Sequence, residues 1–289
     1  SCTGGDTHAQ SAHLFSGDTY DFYDLHHDRD SVDDAGMTLT SSVHFASGYC
    51  NAFWSGEHEQ MVYGDGCFLL ADDVVAHEMT HGVTSFESQL FYYYQSGAIN
   101  EALSDIWGEF MDLTNGVGTD AAGVRWLIGE DTSVGAFRNM KDPTTPPQSG
   151  LSELPDRMTS PYYDEDAQFE DMGGVHTNSG VGMKAAYLMV DGDTFNGYEV
   201  TGLGLNKTAK IFYEVQTNLL TSGSDYGDLY DALYQACQNL IGVEGITQSD
   251  CQEVRYATDA VEMNQPPNTT TYNPPEAPVC EAGLAPTYL

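Results

Sequence analysis

Between residues 72 and 88 the chain reads DDVVAHEMTHGVTSFES, and no other stretch limits its possible folds as strongly. Asp72 and Asp73 supply an N-cap and negative charge at the positive end of a helix dipole. Val74, Val75, Met79 and Val83 give that helix an apolar side to bury. At 3.6 residues per turn His77 and His81 project from one face, so both reach the same metal ion. Glu78 points about 100° away, poorly placed as a ligand but well placed as a general base beside a water on the metal. With 9 His in the chain, this five-residue pattern arises by chance in roughly 2 of 100 shuffled sequences. A third ligand is therefore needed.

The next apolar repeat supplies one. In AINEALSDIWGEFMDL, Ile99, Leu103, Ile106 and Phe110 recur at helical spacing; Gly97 is expected to close the first helix and Ser96 to cap the second. Glu101 and Asp105 lie four apart and share a face. If that face meets the histidine face, His77, His81 and Glu101 make a His₂Glu zinc site with a fourth position open for water, the pattern of a catalytic site. Asp105 would then accept the other ring N–H of a liganding histidine and fix its tautomer.

Elsewhere the sequence predicts an extended arm over 1–12, a helix from His13 to His27, and short strands at 39–45 and 60–63 joined through YCNAFW at 49–54. Residues 114–172 read as long loops, followed by helices near 178–191, 206–221, 226–241 and 248–262 and a proline-rich tail. Trp54 and Trp107 read as core, and His8, His13, His26, His27, His44 and His58 as surface or capping residues, because none matches a ligand spacing. Six cysteines without a CxxC pair suggest disulfides and secretion. Fifteen connectivities are possible, with loop proximity favouring Cys50–Cys67 and Cys237–Cys251 and leaving Cys2 with Cys280 to tie the ends together.

Charge decides which partners to discard. Nine basic against 44 acidic residues give −35, which repels nucleic-acid phosphates and anionic membranes. No run of about 18 apolar residues provides a membrane span. The chain starts at Ser1 without a signal-like segment, as expected of a mature, secreted chain released from a zymogen.

HEMTHGVT at 77–84, GAINEALSDIWG at 97–108 and GGVHTNSG at 173–180 together resemble the thermolysin family of secreted zinc endopeptidases, with further matching segments (AHLFSGDTYDFY, SSVHF, NAFW, MVYGDG) in family order from about residue 12. The resemblance implies an α+β, two-lobed zincin: a reduced β-containing N-terminal lobe (1–95), a helical C-terminal lobe (96–264) and a tail (265–289), with the catalytic helix between the lobes. It implies an edge strand at Asn51 and Ala52 that pairs with substrate backbone, Tyr92 and His176 as oxyanion donors, Asp171 orienting His176, and Arg138 gripping a substrate carbonyl. Val74, Ile128 and Phe137 match an apolar specificity pocket, so cleavage is expected on the amino side of bulky apolar residues of peptide and protein substrates, by a monomer. One calcium ion is expected from Asp73, Glu109, Asp112, Glu130 and the Leu127 carbonyl, the alternative being that Arg125 pairs with Asp112 or Glu130 and takes over part of calcium's work. A noncatalytic module of the same fold is opposed by the intact His77, Glu78, His81 and Glu101. A carboxylate-bridged oxidase would need a second Glu-x-x-His motif, which is lacking.

Overall fold

The computed structural model describes residues 5–66, 71–119, 121–164 and 171–267. Helix α1 (Thr7–His27) starts earlier than predicted, so the expected arm is helical from Thr7. Asp6 caps it by accepting from the Ala9 amide at 3.0 Å. Its buried residues are Ala12, Ser16, Thr19, Phe22 and Tyr23; only Ala12 falls in the first turns, so no apolar repeat marks the start.

Strands β1 (Ser41–Phe45), β2 (Ala52–Ser55) and β3 (Gln60–Gly64) form one sheet in the order β1-β3-β2. β2 and β3 are antiparallel, with Ala52 opposite Tyr63, while β1 runs parallel to β3. The segment that local pattern reads as a joining piece thus contributes β2 at the sheet edge, where the family resemblance implied an edge strand at Asn51 and Ala52.

Helix α2 (Asp72–Phe86) is buried over most of its length. Ala71, not an aspartate, occupies its N-cap position. Asp72 and Asp73 belong to the first turn, where Asp73 accepts from the Val74 and Gly129 amides. Helix α3 (Tyr94–Asn115) packs against α2 and begins before Ser96 and Gly97, so neither has the predicted role. Ser96 donates to the Phe91 and Tyr93 carbonyls. Gly97 is there because a Cβ would lie 2.3 Å from Val175 Cγ1.

The loop region beyond α3 contains a two-residue pair, β4 (Leu127–Ile128) with β5 (Arg138–Asn139). Then come α4 (Asp171–Asn178), α5 (Gly180–Asp191), an unanticipated hairpin of β6 (Gly192–Phe195) and β7 (Tyr198–Thr201), α6 (Leu205–Glu214) continued by a π-turn to Leu219, α7 (Tyr226–Asn239) and α8 (Gln248–Ala260). Capping boxes at Asp225/Asp228 and Thr247/Asp250 start the last two helices. The expected Cys237–Cys251 disulfide joins them, with Cα atoms 5.4 Å apart. Cys50 is also disulfide-bonded. Cys2, Cys67, Cys280 and the tail from residue 268 lie outside the described residues. The architecture is α+β, with a small β-containing N-terminal region and a helical C-terminal domain around a core that includes Val75, Met79, Ile99, Leu103, Ile106 and Trp107.

Candidate metal centre and its cavity

The facing sides of α2 and α3 bring three donors to one point. His77 Nε2 and His81 Nε2 are 3.0 Å apart, and the Glu101 carboxylate lies 3.5 Å from the first and 3.3 Å from the second. The opposite ring nitrogens are already taken. His77 Nδ1 is 2.8 Å from Asp105 Oδ1, and His81 Nδ1 is 2.8 Å from Asn100 Oδ1 and 3.1 Å from Ser104 Oγ. A carboxylate and an amide oxygen only accept, so each Nδ1 carries the hydrogen and both Nε2 lone pairs face the carboxylate.

Neither imidazole donates to the other or to Glu101 in this arrangement, so the three acceptors repel one another unless a cation sits among them. Glu101 Oε2 is buried without a hydrogen-bond partner. Zinc bonds imidazole nitrogen at about 2.0–2.1 Å, which sets tetrahedral ligand atoms about 3.4 Å apart; the three separations of 3.0, 3.5 and 3.3 Å lie close to this, so the donor set fits the ion. In its absence a proton is drawn in. Burial disfavours a charged His81, but Glu101 and Glu78 outweigh it and raise His81 to about 9. The same imidazoles hold the buried Glu101 well below the carboxylate range.

Behind His77, Asp105 accepts from Arg138 Nε at 2.6 Å and Nη2 at 2.5 Å. Burial alone would raise this carboxylate; Arg138 and His77 reverse that and lower it. Arg138 therefore anchors Asp105 while also lining the cavity.

That cavity, 430 Å³ in volume, opens beside the three donors. Glu78 lies in it next to His77 and His81. Asn51 and Ala52 line one side, with Ala52 heading the edge strand β2. Val74, Ile128 and Phe137 make an apolar wall. Opposite, the Tyr92 hydroxyl donates to Glu101 and lies 3.0 Å from His176 Nε2, while His176 Nδ1 meets Asp171. Of the three adjacent tyrosines 92–94, Tyr92 is the one lining the cavity. Four consecutive residues with positive φ, Asp171 to Gly174, bring Asp171 back beneath His176; the two glycines take this conformation without cost, whereas Asp171 and Met172 store strain there.

The acidic residues expected to hold calcium gather around the first turn of α2. Asp73 accepts from the Gly129 amide and Glu109 from the Trp126 amide at 2.7 Å, while Asp112 Oδ1 and Glu130 Oε2 have no hydrogen-bond partner. Leu127, half-buried in β4, precedes this part of the loop. Burial first, then mutual repulsion, raises Asp73 to about 7, Glu130 to about 8 and Asp112 to about 11. The Arg125 alternative is overturned. Its guanidinium bonds Asp191, at 3.0 and 2.7 Å, and not Asp112 or Glu130. Asp191 draws it off because both lie at a more exposed edge, where a bidentate pair forms without burying the cation.

Some site residues escaped the sequence reading. Asn100 and Ser104, four apart, orient His81; their spacing beside Glu101 was the available signal. Trp54, expected in the core, lines the cavity, its indole lying against Gly82, where a Cβ would be 3.2 Å from Cη2.

An open His₂Glu donor set with a carboxylate beside it, on two packed helices between a β-containing region and a helical domain, defines a metallopeptidase of the zincin class. Two family descriptions match the sequence: thermolysin metallopeptidase, catalytic domain, over residues 2–85, and thermolysin metallopeptidase, alpha-helical domain, over residues 88–263. The chain belongs to the thermolysin family of metallopeptidases. It is 43% identical over 218 residues to a zinc metalloproteinase of Renibacterium salmoninarum, covering 74% of this chain and 38% of that protein, and 37% identical over 270 residues to a bacillolysin of Bacillus cereus, covering 90% and 44%. It thus spans about two-fifths of the length of these curated relatives. The structure resembles the precursor of protealysin, a metalloproteinase from Serratia proteamaculans, with a TM-score of 0.75 and 31% identity over 91% of this chain and 80% of that one.

Proposed function

We propose that this chain is a secreted, zinc-dependent endopeptidase that cleaves internal peptide bonds on the amino side of bulky apolar residues. The convergence of His77 Nε2, His81 Nε2 and Glu101 beside Glu78 in an open cavity carries the reading. Zinc, held by those three residues, would supply a Lewis acid and make water a usable nucleophile at neutral pH. Glu78 takes the proton of the attacking water and returns it to the leaving amine. Tyr92 and His176 donate to the oxygen on which negative charge gathers, stabilising the transition state more than the ground state. Asp171 holds His176 in the donor orientation. Opposing burial, its hydrogen bond and Glu101 raise His176 above its ordinary value, which favours the donating form.

The free edge of β2 at Asn51 and Ala52 suits pairing with an extended peptide, and Arg138 is near enough to the cavity to take a substrate carbonyl. The wall of Val74, Ile128 and Phe137 accepts an apolar side chain and leaves a charged one unpaired. One calcium ion among Asp73, Glu109, Asp112, Glu130 and the Leu127 carbonyl would relieve the buried acidic cluster. Release from a zymogen, action as a monomer, and a division into lobes at 1–95 and 96–264 complete the reading. No described helix is long and apolar enough to cross a membrane.

The test is mass-spectrometric mapping of cleavage sites in a denatured protein mixture, with and without a zinc chelator. Cuts before Leu, Ile, Phe and Val that vanish with the chelator are expected. Chelator-resistant cleavage, or a map dominated by charged residues after the cut, sinks the proposal.

A further inference from the structure

A second group of metal-type side chains lies on the N-terminal region, outside the cavity. His8 stands in the first turn of α1, His44 in β1 and Asp65 just after β3; each offers a ligand atom, and the three atoms lie within 4.8 Å of one another. The His8 and His44 rings stack with centroids 4.7 Å apart and planes 19° apart. His44 Nδ1 is 2.8 Å from Asp65 Oδ1, and His44 Nε2 is 2.8 Å from Asp6 Oδ2.

Local structure aims His44 at this point. The β1–β3 register shifts between Ser42 and Phe45, and His44 adopts φ 61°. Such a bulge turns a side chain out of the regular pleat, and a left-handed histidine persists only where its surroundings hold it. Asp6 is fixed as the N-cap of α1.

We propose that His8, His44 and Asp65, with Asp6 alongside, form a second divalent-metal site, selective for zinc, nickel or copper over calcium, that staples the start of α1 to the sheet. Two imidazoles and a carboxylate are the donors that borderline transition metals prefer, whereas calcium needs six or more oxygens. Ligand atoms around a metal at about 2.1 Å stand roughly 3.4 Å apart in a tetrahedron. The widest separation in the cluster must therefore close by up to about 1.4 Å, within reach of side-chain rotation at partly exposed residues such as His44 and Asp65, both 43% exposed. Both ring nitrogens of His44 already face carboxylates, Asp65 and Asp6, so a metal entering here competes with protons for the same imidazole. The four residues come from three elements that otherwise meet at the rim of the sheet, so the ion would cross-link them without touching the hydrolytic centre.

The test uses protein dialysed to one zinc per chain, in excess calcium, so that the hydrolytic and acidic sites are filled and the second site is left free, titrated with nickel by calorimetry and by metal counting after desalting. One additional ion per chain is expected. His8→Ala should weaken it at least about tenfold. So should His44→Asn, chosen because asparagine tolerates positive φ. Copper in place of nickel should show hyperfine coupling to two imidazole nitrogens, reduced to one in His8→Ala. No additional ion at millimolar nickel, or an additional ion that both variants bind with unchanged affinity, overturns the proposal.

Discussion

His77 with His81 and His26 with His27 form two pairs of histidines whose surroundings act on them in opposite ways. His77 and His81 have their Nδ1 atoms anchored and their Nε2 atoms aimed at Glu101, which draws a cation in. His26 and His27 end α1. There His27 stacks on Tyr213 at 4.2 Å and packs edge-on to Trp107 at 5.1 Å, with neither ring nitrogen hydrogen-bonded. Burial first, then Lys210, His26 and Arg29, lowers His27 to about 3. His81 is raised to about 9 despite its own burial. Burial alone therefore does not decide what a histidine does. The sign of its nearest charges does, and a metal centre needs an anionic neighbour that can outweigh desolvation.

The largest effect separates holding a metal from using it. Glu78→Gln should lower kcat on the order of 10³-fold while zinc stays stoichiometric in metal analysis, because the three donors are untouched. Wild-type turnover in that variant would reject the role given to Glu78. Next, Asp105→Asn frees Arg138 and weakens the anchor on His77. Zinc affinity measured by competition with a chromogenic chelator should fall about 10–100-fold, and an unchanged affinity would show that α2 positions His77 unaided. Asn100→Ala should cost His81 less, because Ser104 Oγ still faces its Nδ1. A loss in zinc affinity as large as that of Asp105→Asn would contradict the ranking.

The smallest effect probes the other pair. His27 titrates near 3 when folded and near 6.5 when unfolded, so between those values the unfolded chain binds more protons. Its contribution to stability is complete above pH 6.5 and is lost as pH falls toward 3. From pH 7.5 to 5 the loss is about 2 kcal/mol. Denaturant unfolding at several pH values should show His27→Phe losing less stability than wild type over that range. Parallel curves would mean that the folded chain accommodates His27 as a cation.

What the sequence made legible follows the range of the interactions. The i, i+4 placement of His77 and His81 is fixed by helix geometry alone, and the structure puts both rings where that spacing implies. Glu101 needed a guess that two faces meet; Tyr92, His176, Asp171 and Arg138 needed the family resemblance, since no local pattern links them to the histidines. Illegible features depend on tertiary contact. The start of α1 was missed because its first turns bury only Ala12 and carry no apolar repeat, and the α2–α3 break because Ser96 and Gly97 look like punctuation when read without their neighbours. Trp54 was placed in the core because its large apolar surface gives no sign that Gly82 leaves it a shelf at the cavity floor.

Gly97 has a further consequence. Glu101 on α3 and His176, which directly follows Val175, stand side by side in the cavity, 3.6 Å apart. Val175 presses on Gly97, one turn before Glu101, where even a single methyl would lie 2.3 Å from its Cγ1. The spacing of His176 from Glu101 is thus tied to a hydrogen atom, the side chain of Gly97. Evolution can widen it by one carbon without altering a single residue that touches the substrate.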